Sequence, residues 1–406
     1  MAIKSSPREP SITAWRFVIT FGTVSLLADV VYEGARSVTG PILAALGATG
    51  LLVGIVTGIG EAAALLLRLV SGPLADRTQR FWAWVIAGYA LTVIAVPPLG
   101  FVGVLWVACG LIILERVGKA VRSPAKDALV SYATSATGRG RGFAVHEAID
   151  QFGAVIGPLV VAAVLAVTGT QYGPALAVLA VPGVLAIALL VWLRARVPHP
   201  LDYEVERKNS HTVHATGRAR FSAKYWTYAA FTATTMLGFA TFGVISFHIV
   251  EAELLQPYLV PVLYAGVMVV DALAALATGW AYDRYGPRVL FALPIVAAMI
   301  PALAFANSLG AVIAGSLLWG MALGIQESTL RATVADIVAP GRRSTAYGIF
   351  AAVVGVAAAV GAVLAGGLYD VSVPLLVGIT IAIQAAAAGL LAIVVRSTPR
   401  NSPAEP

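Results

Sequence analysis

Ionisable side chains recur inside stretches that are otherwise apolar, at the spacings of helix faces. Asp29, Glu33 and Arg36 stand at i, i+4 and i+7, one stripe on one face, with Tyr32 beside it. Glu115 and Arg116 share the middle of another apolar stretch. His146, Glu147 and Asp150 share a third, with 146/150 and 147/150 at helical contact spacing. Glu61 and Asp271 are more isolated, and Glu327 has Arg331 four residues on. Such groups are costly in hydrocarbon and by default mark pathways or relays. The chemistry open to them is reversible protonation: a carboxylate takes up a proton when dehydrated and releases it when wetted or paired. Asp29, Glu33 and Asp150 are the candidate proton-coupling acids, with Arg116 as the partner that tunes one of them. Tyr32, Arg36, Glu115, Arg116, Asp271 and Glu327 are candidates for a substrate cavity. The competing reading of each acid is a static ion pair that only holds helices together. His146 could shuttle protons near neutral pH or be a hydrogen-bonded structural histidine, and His248, near Glu251 and Glu253, reads as interfacial. Phe239, Phe242, Phe247 and Tyr264 could line an apolar cavity, or face lipid or pack. A Gly-rich phosphate loop, a His/Cys metal cluster and a nucleophile motif are all missing from the sequence, so no catalytic residue, metal or cofactor is expected.

The elements that must position these groups are membrane-spanning helices. The 406 residues are 59% hydrophobic and only 12% charged, far too little charge for a soluble chain of this length. Twelve apolar stretches long enough to cross a bilayer run over about 15–38, 50–71, 82–100, 103–123, 142–166, 174–194, 223–249, 258–280, 288–307, 309–331, 344–367 and 373–395. Of the 27 Lys and Arg, 24 fall in the N-terminal arm, alternate connections, the central polar interval and the tail. The other connections carry none. This asymmetry places both termini and the central interval in the cytoplasm and accounts for most of the net charge of +7. Some attraction to anionic lipid headgroups fits as well. Basic residues scattered over short loops exclude a nucleic-acid partner. One cysteine, Cys109, permits no intramolecular disulfide. The first apolar stretch is too long and too charged for a cleavable signal peptide and reads as a retained helix.

The chain divides into an arm (1–14), a six-helix bundle (15–194), a polar linker (195–222), a second six-helix bundle (223–395) and a tail (396–406). His211 and His214 in the linker lack a third ligand and read as solvated. The halves repeat each other. Gly72, Asp76, Arg77 and Arg80, between stretches two and three, return as Gly279, Asp283, Arg284 and Arg288 between stretches eight and nine. Arg141, Ala144 and Gly153 return as Arg343, Ala346 and Gly355. Parallel halves related by an axis along the membrane normal follow from such a pattern.

These residues carry a resemblance to the major facilitator superfamily over essentially the whole chain. Its GxxxDRxGRR motif is similar to Gly72, Asp76, Arg77 and Arg80, with Gln79 in place of the motif glycine, and the second copy keeps Gly279, Asp283, Arg284, Gly286 and Arg288. Arg116 matches the helix-4 arginine. Gly153, Gly157 and Pro158 match the helix-5 GxxxGP motif associated with exporters that exchange substrate for protons. The run from Arg116 to Leu129 resembles a signature of bacterial permeases whose substrates are mostly unassigned. The resemblance implies an all-α membrane protein of twelve helices in two pseudo-symmetric bundles, working by alternating access. It implies a proton-coupled exporter of small amphipathic or drug-like compounds; an importer of a polar nutrient or chelated metal is the alternative. The implied partners are a small-molecule substrate, protons and the lipid bilayer of a bacterial inner membrane, with the chain acting as a monomer.

Each motif residue has a physical part to play. Gly72 and Gly279 stand where a neighbouring helix should approach closely. Asp76 and Asp283 are expected against the N-termini of helices 11 and 5, where free amides favour negative charge. Arg77 is expected to pair with Asp127. With Arg80 and Arg284, these residues form the expected cytoplasmic gate; the competing reading is a topogenic basic turn. Gly153 and Gly157 share one face and are expected to seal helix 5 against the other half, with Pro158 bending it; ordinary small-residue packing is the competing reading.

Overall fold

The computed structural model describes residues 12–203, 221–338 and 343–396, with no strand among the described residues. Lys4, Arg8, Arg207, Lys208, His211, His214, Arg218, Arg220, Arg342 and Arg400 lie outside them, as do the side chains of Arg331 and Arg343. The first span is α1 (Ala14–Ser37) with the short α2 (Thr39–Ala45), and the second is α3 (Gly50–Leu66) with α4 (Arg68–Thr78). α5 (Phe81–Leu99), α6 (Leu105–Thr137) and α7 (Arg139–Thr168) follow, then the pair α8 (Tyr172–Ala177) and α9 (Ala180–Arg196). Beyond the linker come α10 (Ala223–Leu237) with α11 (Phe242–Glu251), α12 (Val260–Tyr285), α13 (Ala292–Ala304), α14 (Leu309–Ile337), α15 (Arg343–Val371) and α16 (Val373–Arg396). Ten helical runs among the described residues are long and apolar enough to cross a membrane; one of them, Pro257–Ala304, contains both α12 and α13. The 33-residue α6 is long enough too, but Glu115, Arg116, Lys119 and Arg122 interrupt its apolar character.

Two of the connections expected from hydropathy are helical instead. α6 runs on past residue 123 to Thr137, and α14 runs on to Ile337. The extension of α6 is held by packing: Ala125, Leu129, Val130 and Ala133 are buried in a cluster with Phe17, Phe21, Trp82, Val85, Leu190 and Leu193. That one-sided apolar stripe has helical period, and a polar opposite face hides it from a hydropathy average. Gly138 alone separates α6 from α7, with φ +92, a conformation that glycine adopts without a Cβ penalty.

The chain forms two compact units. The first comprises Met1–Gly47, Ala63–Thr212 and Gln256–Ala265; the second comprises Ala48–Ala62, Val213–Leu255 and Gly266–Pro406. Each therefore holds one six-helix sequence half apart from a short exchanged segment, the start of α3 in one direction and the start of α12 in the other. Within the second unit the break between α10 and α11 leaves carbonyls without helical partners, a costly situation at membrane depth. The buried Trp319 indole donates to the Ala240 oxygen at 2.8 Å. Tyr228 stacks on Phe350 and donates to the Leu330 carbonyl at 2.9 Å.

The turn after α4 explains a departure from the family motif. Gln79 caps α4 in the left-handed region, φ 51 and ψ 20, and Gly286, its counterpart in the repeat, has φ +64. The turn itself demands this conformation, and glycine meets it most cheaply. Gln79 meets it with help from its side chain, which donates to the Asp76 carbonyl at 2.6 Å. Gln79→Gly should therefore be tolerated, whereas the β-branched Gln79→Val should destabilise the protein by about 1–2 kcal/mol. Thermal melting in detergent checks the order, and equal melting of the two variants would refute it.

Candidate functional site

The first unit gathers most of the charged residues singled out above. α6 carries Arg116, Lys119, Arg122 and Lys126 three, three and four residues apart, so all four share a face. At 1.5 Å per residue the ladder covers about 15 Å, roughly half of a hydrocarbon core. Opposite it stand the α1 stripe and the first half of α7.

Each rung has defined partners. Arg116 is buried, donates to the Tyr32 hydroxyl and lies 3.5 Å from a Glu115 oxygen. Lys119 places its Nζ 3.9 Å from the centre of the Tyr32 ring, a cation–π contact. Arg122, only 4% exposed, reaches Asp29 at 4.0 Å. It also donates to Thr92 at 3.1 Å and sits over the Tyr89 ring of α5. Lys126 pairs with Asp150 at 3.5 Å. Near the far end of α1, Glu33 accepts from the Tyr264 hydroxyl at 2.6 Å and lies 3.7 Å from Arg36. Tyr264 belongs to the exchanged segment that packs in the first unit.

The glycines of the helix-5 motif set this geometry. A Cβ on Gly153 would collide with the Leu26 carbonyl and crowd Asp29 Cβ; one on Gly157 would collide with the Val30 carbonyl. Gly34 returns the fit, since its own Cβ would meet the Gly157 carbonyl at 3.2 Å. The seam therefore closes α7 onto α1 of the same half, where a seam with the other half was expected. Glycines at i and i+4 make a groove that matches the small residues of α1, and the close approach brings Asp29 and Asp150 to the same charged layer. Pro158 is buried in that seam.

His146, Glu147 and Asp150 bring their ligand atoms within 4.8 Å of one another. Lys126 beside Asp150 opposes a bound cation there, and His146 Nε2 is already engaged with Ser25 at 3.1 Å. Both contacts disfavour a metal ion at this group.

The remaining candidates lie elsewhere. Asp271 is buried on α12 and Glu327 is exposed on α14, both in the second unit. Asp76, Arg77, Arg80, Asp283 and Arg284 are exposed at helix ends, and Asp127 is exposed within the extended α6. No ion pair joins Arg77 to Asp127 among the described residues. A Cβ on Gly72 would make ordinary contact with Pro124 at 3.6 Å, and one on Gly279 would reach Ser328 only at 4.0 Å. Neither glycine is thus at the expected close approach in this conformation.

The sequence reading missed Lys119, Arg122 and Lys126 as site residues because a positive-inside count assigns them to a loop. Their shared face with Arg116 was the available signal. It also missed Asp370 near the end of α15, whose carboxylate accepts from the Gly50 and Leu51 amides at 2.8 Å each and so caps α3 within the second unit. A capping acid far away in sequence leaves no local pattern.

Comparison with known proteins fits this architecture. The profile of the Major Facilitator Superfamily matches residues 25–260 and 246–406. An uncharacterized protein of Mycobacterium tuberculosis is 60% identical over 375 residues, 92% of each chain. An uncharacterized MFS-type transporter of Methanocaldococcus jannaschii is 23% identical, over 87% of this chain and 89% of its own. A bacterial homologue of the human lysosomal transporter Spinster, in an inward-facing unoccupied conformation, superposes with TM-score 0.74 at 13% identity, covering 96% of this chain and 98% of that one. The nucleoside transporter NupG gives 0.69 at 14% identity, covering 94% and 100%. At these identities the two structures establish the fold alone.

The pairing of Arg122 with Asp29 yields a double-mutant test. Arg122→Met removes the ion-pair partner of the partly buried Asp29 carboxylate and should cost about 2 kcal/mol. Adding Asp29→Asn should recover most of that loss. Additive losses in thermal melts of the detergent-solubilised protein would show that the two groups are not coupled.

Proposed function

The chain belongs to the major facilitator superfamily, and on that premise we propose that this membrane transporter is a proton-coupled exporter of small amphipathic compounds. The observation that carries the coupling is the ladder itself: Asp29 and Asp150 each face one of its cations, while Glu33 faces Arg36 of its own helix. A shift of α1 or α7 against α6 within the first bundle that separates such a pair leaves a carboxylate that must take up a proton, and restoring the pair expels it. Arg122 and Lys126 would discharge Asp29 and Asp150 in this way. Glu33 would exchange its proton as Arg36 and Tyr264 move. Arg116, braced by Glu115 and Tyr32, would present the substrate-facing polar surface, and Asp271 and Glu327 would contribute from the other half.

The export direction rests on the helix-5 resemblance. Gly72, Asp76, Arg77, Arg80 and Asp127, with Gly279, Asp283 and Arg284, would form a cytoplasmic latch that engages only when that side closes. The Lys and Arg asymmetry supports a cytoplasmic location for both termini, and the two six-helix bundles are the moving bodies, with no second copy required.

Reconstitution in liposomes with a trapped pH indicator tests this reading. Fluorescent amphipathic dyes of either charge should drive counterflow of protons in the wild type. Asp29→Asn and Asp150→Asn should each reduce that flux at least about tenfold, as expected for loss of a general acid–base group, while the protein stays folded. Full flux in both variants would remove the coupling role. Protons and dye moving in the same direction would replace export by import.

A further inference from the structure

A cavity of about 910 Å³ opens at the basic end of the first unit, away from the charge ladder. Its lining includes Arg80, Phe81, Trp82, Tyr132, Arg194 and His199, and none of its described lining residues is acidic. Neither Arg80 nor Arg194 forms an ion pair among the described residues. The 19-residue α5 starts here, and no side chain caps its N-terminus, so its free amides and dipole add positive potential. Trp82 is 7% exposed and forms part of the cavity wall.

These features call for an anion with several acceptor oxygens. The cavity also lies where two membrane-spanning helices end, α5 at Phe81 and α9 at Arg196. Val184 and Val191, seven residues apart on one face of α9, are 59% and 49% exposed and offer an apolar flank running from the cavity towards the bilayer interior. We propose that this cavity binds the phosphate headgroup of an anionic phospholipid, with Arg80 and Arg194 as the charged contacts and the acyl chains along α9. The site is independent of proton coupling: a chain with no transport activity would still hold the lipid.

Native mass spectrometry of the detergent-purified full chain, titrated with phosphatidylglycerol or phosphatidylcholine, tests the site. The wild type should retain one phosphatidylglycerol at a concentration roughly tenfold below that needed by Arg80→Gln/Arg194→Gln, given the attraction of each basic side chain to anionic headgroups. The Arg80→Lys/Arg194→Lys variant should keep most of the retention, and phosphatidylcholine should show no difference among the three. Should the double glutamine variant fail to fold, Arg194→Gln alone, checked by its melting temperature, should still show a several-fold loss. Equal retention of phosphatidylglycerol in wild type and glutamine variant would overturn the proposal. So would displacement of the adduct by millimolar inorganic phosphate, which would assign the cavity to a soluble phosphate compound.

Discussion

A charge in hydrocarbon must be met by another charge or a good hydrogen bond, and the first unit is organised around that demand. α6 carries four cations along one face. Tyr32, Asp29 and Asp150, drawn from α1 and α7, stand opposite them, while Glu115 braces Arg116 from the same helix. Arg122 shows how completely the demand is met: a carboxylate, a threonine hydroxyl and a tyrosine face all converge on one guanidinium. Such a set is stable only as a whole. The same property makes it responsive, because moving one helix leaves several groups needing protons or water at once.

Close backbone contact makes the ladder possible. Gly153 and Gly157 let α7 lie directly on α1, so that Asp29 and Asp150 share one layer. Gly88 and Gly118 do the same for α5 and α6, since a Cβ on Gly88 would meet the Gly118 carbonyl at 2.6 Å. That approach brings Tyr89 and Thr92 up to Arg122. The helix-5 glycines therefore have a packing role, since a side chain at either position would push α7 off α1.

The exchanged segments give each unit a contact that its own sequence half could not supply. In the second unit the start of α3 is capped by Asp370, and Thr57 of α3 bonds Thr241 at 2.9 Å. In the first, Tyr264 completes the coordination of Glu33. The Asp370 contact satisfies amides at a helix start, which have no partner within the helix.

The sequence by itself determined the class of the protein. Apolar stretches of bilayer length, the one-sided distribution of Lys and Arg and a motif repeated at half-length all depend on composition and spacing. These survive without knowledge of any contact. It also picked out Asp29, Glu33, Arg116 and Asp150 as unusual, because a charge in an apolar run is visible in one dimension. Only the tertiary structure decided that Asp29 meets Arg122 and Asp150 meets Lys126, since those partners lie on another helix. Lys126 lay beyond the fourth apolar stretch, and Lys119 and Arg122 at its end, until the extended α6 set all three on one face with Arg116. The choice of α1 as the partner of the helix-5 glycines, and of Asp370 as the cap of α3, came from the shapes of surfaces that meet only when the chain is folded.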